Sequence, residues 1–331
     1  MAEAASPEPR YSHESAMIGH ELHVFGGKNG KEDYFPRNEI WTCNVREETK
    51  WIRRIAEGTK IPPSCIGARC VVINGIVYSY GGWKEGGGYL EDFFGLDPVK
   101  MRWFQVATPT HKKNPWQRFD CCLWAIGERM IVFGGVTDSI PEDRVQVGAQ
   151  CNWFVNNEIY EFVFEEGREK GYWLDVDLSG ERPQPRTKAA METIDEHRGL
   201  LHGGSNGTKS FDDAFVIDLR EKKWICVDFL PRPSARFQHR LCQLVKRGFE
   251  SKHCFLMIGG WRKRISDSGY IIDFDEQKSH KIDLTVDVAP VWSHTLHSVA
   301  NQDGSTNIIL CGGLSNEEEC QEMMKTFTLA S

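Results

Sequence analysis

Short apolar runs that end in a glycine pair recur along the whole chain, as in LHVFGG, VYSYGG, MIVFGG, LLHGG, FLMIGG and IILCGG. The pairs begin at residues 26, 81, 134, 203, 259 and 312, so successive spacings are 55, 53, 69, 56 and 53 residues. Each run has the length and composition of a short β-strand. A nearly constant period of this size is typical of repeat proteins, so we predict six similar structural units.

Each unit contains further parts in the same order. A polar loop of variable length follows the glycine pair, and an acidic or amide step then leads into aliphatic and aromatic residues, as in NEIW at 38–41 and NEIY at 157–160. In four units a tryptophan opens a last apolar run, at Trp51, Trp103, Trp173 and Trp224. Four short strands per unit, repeated six times, predict a β-propeller.

The glycine pairs could belong to phosphate-binding loops or to strand ends. A phosphate loop needs a helix directly after the glycines and a Lys-Ser or Lys-Thr step, and the sequence has neither. We therefore predict that the first glycine of each pair lets two backbones pass closely, and that the second adopts a positive φ. These structural glycines are Gly26, Gly27, Gly81, Gly82, Gly134, Gly135, Gly203, Gly204, Gly259, Gly260, Gly312 and Gly313.

On these motifs the chain resembles the kelch family, whose repeat combines Gly-Gly, a spaced aromatic residue and a later tryptophan. The resemblance covers about residues 10–331 and implies an all-β fold, a six-bladed kelch β-propeller. Expected blades span about 10–55, 65–106, 118–178, 186–229, 236–285 and 293–331, after an N-terminal tail at 1–9. Within the family, FGGVTDSIPEDRV followed by NEIYEF is similar to the kelch domain-containing proteins that act as substrate receptors of cullin ubiquitin ligases.

Two segments depart from the regular unit. The residues between Gly135 and Asn157 are far more numerous than in the other units, which indicates a functional loop or a disordered one. The sixth unit reaches its third predicted strand in MMKTFTL and shows no fourth strand before Ser331. The N-terminal MAEAASPEP has two prolines and little strand propensity, so we expect an exposed edge in blade six and find no strand in the sequence that would close the ring.

Composition and charge narrow the class of protein. Aromatic residues make up 11% and charged residues 26%, as in a folded soluble protein, and the net charge of −7 argues against nucleic-acid binding. No signal peptide or long apolar segment is present, so we expect an intracellular protein, cytoplasmic or nuclear, without membrane contact. The 11 cysteines include no C-x-x-C and are expected to be structural thiols rather than metal or redox groups, and no cofactor is expected.

An arginine stands three residues before the start of the predicted innermost strand in four units. The four are Arg10, Arg118, Arg186 and Arg236. In a propeller they lie on the face that carries the variable loops, where they would form an anion-attracting rim suited to a carboxylate. Alternatively, they cap carbonyl groups of a neighbouring loop and so fix blade geometry.

Aromatic and basic residues in loops of the same face are further candidates for ligand contact. Trp83 and Trp261 follow glycine pairs, and Trp116 and Trp292 precede first strands; such residues beside arginine are typical of binding hot spots, although core packing is the alternative. Lys112 in THKKNPWQR and Arg262 in GGWRKR belong to two basic clusters that could also be solvated surface.

The resembled receptors hold a peptide C-terminus with arginines after the fourth glycine pair and a Ser-Trp step after the fifth blade's arginine. Here these positions read SNGTKSFDD and Phe237-Gln238, and the family's adaptor-binding box is not found in this sequence. No triad, metalloprotease or sialidase motif occurs either. We therefore expect a non-enzymatic module that recognises a protein or peptide, with a substrate receptor for ubiquitin-dependent degradation as its specific form. An actin-binding or scaffold protein and a channel-site enzyme are the alternatives.

Overall fold

The computed structural model describes residues 6–30, 33–47, 50–90, 92–109, 115–138, 145–146, 153–244, 252–262, 265–266, 268–283, 291–315 and 319–329. All regular structure in these ranges is β-strand, which confirms the all-β prediction. Within them no helix is long and apolar enough to cross a membrane.

The first three blades are four-stranded antiparallel meanders. Blade one contains β1 (Glu14–Ile18), β2 (Glu21–Phe25), β3 (Glu39–Asn44) and β4 (Trp51–Ile55). The short β5 (Glu57–Gly58) and β6 (Cys65–Ile66) lead to blade two, which contains β7 (Arg69–Ile73), β8 (Ile76–Tyr80), β10 (Phe94–Asp97) and β11 (Arg102–Gln105), with β9 (Trp83–Lys84) paired to β6. Blade three contains β12 (Cys122–Ile126), β13 (Arg129–Phe133), β17 (Ile159–Phe164) and β18 (Gly171–Asp175), and its long connection carries β14 (Val136–Thr137), β15 (Val145–Gln146) and β16 (Phe154–Val155).

The other three blades follow the same order. Blade four contains β19 (Ala190–Thr193), β20 (Arg198–His202), β21 (Ala214–Asp218) and β22 (Lys223–Val227). Blade five contains β23 (Arg240–Leu244), β24 (Cys254–Ile258), β25 (Ser268–Asp273) and β26 (Lys278–Asp283). In blade six the described residues form three strands, β27 (Thr295–Ala300), β28 (Thr306–Cys311) and β29 (Lys325–Leu329), and the outer side of β29 has no strand partner among them.

The innermost strands form a closed ring, which confirms the six-bladed propeller. Each packs beside the innermost strand of the next blade, and β27 packs beside β1. The closing contact is apolar, because Leu22, Val24 and Trp41 of blade one pack with Ile309 and Met323 of blade six. The ring is therefore closed by apolar packing between the sheets of blades six and one, as at the other five blade junctions, where apolar clusters also lie between neighbours.

A second ring, made of backbone hydrogen bonds, surrounds the channel mouth. In every blade the residue two positions after the arginine position has a positive φ; the six are Ser12, Gly67, Asp120, Lys188, Gln238 and Ser293. The amide of each of five donates to the carbonyl of the preceding member, at 2.8–3.3 Å. A left-handed conformation in five non-glycine residues is costly, so the ring constrains the backbone strongly where the loops begin.

The predicted close approach at the first glycine and positive φ at the second are both present, and each glycine of a pair in fact combines a positive φ with close contacts to other atoms. The first glycine usually faces the carbonyl of the residue at the arginine position in the next blade, as Gly203 faces Arg236. The second glycine faces the residue that stands three positions after the arginine position of its own blade, as Gly260 faces His239. Gly26 is an exception, because the side chain of Arg37 lies against it.

The ten cysteines in the described part are free thiols, and most of them are buried in strands. Burial raises the pKa of the Cys121 thiol to about 11 and that of Cys122 to about 12. Such thiols stay protonated and pack as small apolar groups.

Candidate functional site

The four arginines predicted as a rim are buried beneath the loop face rather than exposed on it. Nη1 of each donates to the carbonyl of the first glycine in its own blade, at 3.2 Å for Arg10 and 2.9 Å for Arg118, Arg186 and Arg236. Nε of each donates to the carbonyl two residues earlier in the chain. These bonds satisfy carbonyl groups that the tight glycine turn leaves unpaired, which is the structural alternative for these residues.

Arg118, Arg186 and Arg236 make further hydrogen bonds within the blade. Arg118 Nη2 lies 3.0 Å from Glu158, and Arg186 makes two bonds to Asp213, at 2.5 and 2.9 Å. The Arg186 guanidinium also lies 4.2 Å from the centre of the Phe211 ring. Since these groups are enclosed and paired, they are not available as the first contact of a ligand.

The loop face is built by a repeated bridge directly above the arginines. In each blade the residue after the arginine position pairs with the residue after the glycine pair. The twelve residues are Tyr11 with Lys28, Ile66 with Trp83, Phe119 with Val136, Thr187 with Ser205, Phe237 with Trp261, and Trp292 with Leu314. Unlike the glycines, these positions differ from blade to blade, so they give each sector of the face its own chemistry.

A pocket of about 400 Å³ opens on this face between blades three, four and five. Phe119 and Trp153 form one side, and Phe237 and Arg262 form the other. Blade four supplies the polar base; these residues are Thr187, Lys188, Ser205, Gly207, Thr208, Lys209 and Ser210. A concave site with apolar walls and a few converging polar groups is the usual form of a binding site.

The pocket is positively charged. Lys188, Lys209 and Arg262 line it, and no acidic side chain occurs among the described residues of its wall. Lys188 Nζ lies 3.8 Å from Asp120 Oδ2, longer than a hydrogen bond, and Lys209 lies over the Phe211 ring at 4.9 Å. The pocket therefore favours an anionic group although the whole chain carries a net charge of −7.

Local sequence explains how blade four presents Lys209. In SNGTK the Asn206 side chain accepts hydrogen bonds from the amides of Thr208 and Lys209 and from the Thr208 hydroxyl, at 2.8–3.1 Å. Gly207 supplies the positive φ that the turn requires. The loop is thus a compact turn that fixes the start of the Lys209 side chain at the pocket.

Aromatic rings support the pocket on both sides. Trp83 packs edge to face with Trp153 at 5.5 Å and lies 5.9 Å from Phe119. On the opposite side Trp261 pairs with Trp292 at 6.0 Å. These tryptophans are half-buried, so the face is rigid beside the pocket and still partly accessible.

The predicted site residues therefore separate into groups. Arg262 lines the pocket, and Trp83, Trp261 and Trp292 belong to the repeated bridges that build the loop face. Trp116 is 50% exposed and is placed outside the pocket wall. Lys112 and part of the long connection after Gly135 lie outside the described residues.

Sequence reasoning missed the pocket residues Phe119, Thr187, Ser205 and Phe237, although a signal for them was present. They stand directly after the arginine position or the glycine pair, where the repeat varies while its neighbours stay constant. Trp153 belongs to the long connection that was predicted as a functional loop.

The buried histidines next to the channel are neutral. Burial lowers the pKa of His202 and of His294 to about 3, and the His202 and His239 rings approach at 3.0 Å between Nδ1 and Nε2. In the described part of the chain no group of three or more His, Cys, Asp or Glu side chains is arranged to hold a metal ion.

Below the loop face, the channel widens into a chamber of about 380 Å³ lined by Trp124, Met191, Glu192 and other residues of the innermost strands. Burial raises the pKa of the Glu192 carboxyl from 4.5 to about 7, and no basic side chain counteracts it. The folded chain therefore binds a proton between pH 4.5 and 7 that the unfolded chain has released, so stability falls as pH rises through that window.

We expect Glu192→Gln to be more stable than the unmodified protein above pH 7, by about 2–3 kcal/mol, and equal to it near pH 4.5. The amide keeps the oxygen that accepts the Thr193 amide hydrogen and removes the charge. Thermal unfolding of both proteins across pH 4.5–8.5 measures the difference, with Glu276→Gln at an exposed position as the control. A difference that does not change with pH would contradict the expectation.

Comparison with known proteins shows which family and which fold the chain resembles. The model of the KLHDC2/KLHL20/DRC7 Kelch-repeats domain matches residues 1–135. Kelch domain-containing protein 2 of Bos taurus is 25% identical over 284 residues, covering 78% of this chain and 65% of that protein. Kelch domain-containing protein 1 of Homo sapiens is 25% identical over 236 residues, covering 66% of this chain and 55% of that protein.

The chain thus spans between about half and two thirds of the length of the curated relatives that it matches. Among solved structures, that of YjhT superposes with a TM-score of 0.69 at 13% identity, covering 98% of this chain and 99% of the other, which shows the shared fold. The six glycine-pair repeats and the six-bladed ring show a β-propeller, and the matches to kelch domain-containing proteins support its similarity to the kelch-repeat family.

Proposed function

We propose that the chain is a non-enzymatic recognition module that binds a short peptide through a free carboxyl group or acidic side chain in the pocket between blades three, four and five. The observation that carries the proposal is the set of Lys188, Lys209 and Arg262 on a wall without acidic residues. Cations in a half-enclosed site attract a carboxylate, and the aromatic sides give the neighbouring peptide residues a surface to pack on.

The family supports a protein-interaction role. The kelch domain-containing proteins that the chain matches are relatives at about 25% identity, and kelch propellers are generally binding modules. We propose further that the bound peptide belongs to a substrate of ubiquitin-dependent degradation, as the resemblance to the receptor branch implies. The arginines of that branch's carboxylate clamp are not present here, so Lys188, Lys209 and Arg262 would supply the positive charge.

Fluorescence polarisation with peptides that carry free or amidated C-termini tests the binding mode. We expect the double change Lys209→Glu and Arg262→Glu to weaken binding of a free-carboxylate or acidic peptide by at least about tenfold, because it reverses two charges at the pocket. Lys281→Glu, on the outer strand of blade five, makes the same kind of charge change away from the pocket and is expected to leave the affinity unchanged.

Equal affinity of the double variant and the unmodified protein would place the ligand on another surface. Co-sedimentation of both proteins with actin filaments would then favour a scaffold that uses the sides of the blades. The charge-based binding mode would also be contradicted if the affinity of a peptide depended neither on its free C-terminus nor on its acidic residues.

A further inference from the structure

A second, narrower cavity, called the neck here, adjoins the chamber. It is a cavity of about 120 Å³ that shares Ser15, Cys70, Met191, Leu296 and His297 with the chamber, so the two form one continuous channel. Arg69 and Arg240 both line the neck. Each is the first residue of an innermost strand, so the ring of strands brings blades two and five together at this level.

Arg240 has no ion-pair partner in the neck. Its Nη1 donates to the His239 carbonyl at 3.3 Å, and among the described residues no carboxylate oxygen lies within 4 Å of it. Burial, followed by repulsion from Arg69, lowers its pKa well below the usual value, while the Asp120 charge acts in the opposite direction. Guanidinium groups keep their charge in proteins, so the lowered pKa reflects an energetic cost that the folded chain carries.

One carboxylate, Glu14, lines the neck, a second, Asp120, lies beside it, and each is paired with other cations. Glu14 pairs with the buried Arg37 and with Ser79. Asp120 lies between Arg69 and Lys188, 3.8 Å from each. Asp120 is thus shared with two other cations and offsets the positive charge of Arg240 only in part.

Apart from Glu14, the polar side chains from blades one and six that line the neck are neutral. Ser15 bonds Thr295 and His297, at 2.6 Å each, and His13 lies 3.1 Å from Thr295, which forms a hydrogen-bonded chain between blades one and six. Burial and the nearby Arg240 lower the pKa of His297 to about 4, so this ring carries no charge at neutral pH. Hydroxyl groups and neutral imidazoles can reorient their hydrogens toward an anion.

We propose that the neck is a binding site for one small anion, a halide or an oxyanion the size of phosphate, held between Arg69 and Arg240 with the Ser15 and Thr295 hydroxyls at its side. The cavity volume admits such an ion with a few waters and excludes a nucleotide. Binding would offset the repulsion between the two guanidinium groups and would link blades one, two, five and six. The site is separate from the peptide pocket and does not depend on the proposed function.

Thermal unfolding in sodium chloride or sodium phosphate, balanced with sodium gluconate to constant ionic strength, tests the site. Gluconate is too large for the neck, so we expect Tm to rise saturably by a few degrees as chloride or phosphate replaces it. Arg240→Met is expected to remove this response and to equal or exceed the Tm of the unmodified protein in gluconate. Arg69→Met provides a second variant with the same expected loss.

Two further measurements separate the neck from other cationic surfaces. The double pocket variant Lys209→Glu and Arg262→Glu is expected to keep the anion response, since its changes lie on the loop face. In crystals soaked in bromide, anomalous scattering should place one ion between Arg69 and Arg240. The proposal is overturned if Tm does not depend on the anion, if both arginine variants keep the response, or if bromide occupies surface positions only.

Discussion

Replacing Arg186 by alanine is expected to destabilise the propeller by about 3–5 kcal/mol, with a fall in Tm on the order of 10 °C. The change leaves the Gly203 and Gly204 turn without the cation that caps the Gly203 carbonyl, and it leaves Asp213 without both of its bonds. It also removes the guanidinium that packs on Phe211. Chemical denaturation followed by tryptophan fluorescence measures the loss.

Arg232→Ala is the matched control, because Arg232 is half exposed and its ion pairs lie at the surface. We expect that variant to change stability by less than about 1 kcal/mol. If the Arg186→Ala protein keeps its stability and loses only peptide binding, the structural role is contradicted and Arg186 acts in ligand contact instead.

The second large effect is expected from Gly81→Ala, which should cost about 4 kcal/mol. A methyl carbon on Gly81 would lie 2.4 Å from the Arg118 carbonyl oxygen, so the two blades must separate. The same carbonyl accepts the Gly82 amide at 3.0 Å, and that bond would be strained as well. The left-handed φ of +72° adds the usual penalty for a residue with a side chain.

Gly75→Ala separates the two contributions. Gly75 has a similar φ of +77°, but no atom lies within 4 Å of the position its Cβ would take. This variant should therefore show only the backbone penalty, about 1–2 kcal/mol. Equal losses in the two variants, measured by denaturant unfolding, would mean that the close approach of the blades has no energetic role.

The candidate site could be predicted from the sequence only in part. The repeat located the loop face correctly, and the tryptophans after the glycine pairs lie there, as does Arg262. For the recurring arginines the sequence allows two roles, a ligand-binding rim or a cap that fixes blade geometry. The four side chains are only 0–1% exposed, so they act as caps. A residue that recurs in the repeat stabilises the glycine turn that these blades share.

Closure of the ring could not be read from the sequence either. A fourth strand for blade six would be required only if the propeller closed by exchanging a strand between its first and last blades. In the structure the apolar faces of blades six and one pack directly, through residues such as Trp41 and Ile309, and the Ser12 amide donates to the Ser293 carbonyl at 3.0 Å. Those contacts join the two ends of the chain and have no local sequence signature.

By itself the sequence determined the number of blades, the strand and turn pattern within each, and the face on which the variable loops lie. These follow from local chemistry, because short apolar runs and glycines that permit positive φ act within a single unit. The tertiary structure alone decided which variable residues meet. Lys188, Lys209 and Arg262 converge across blades four and five, and Arg69 meets Arg240 on the channel axis, because closing the ring brings together positions that are far apart in the chain.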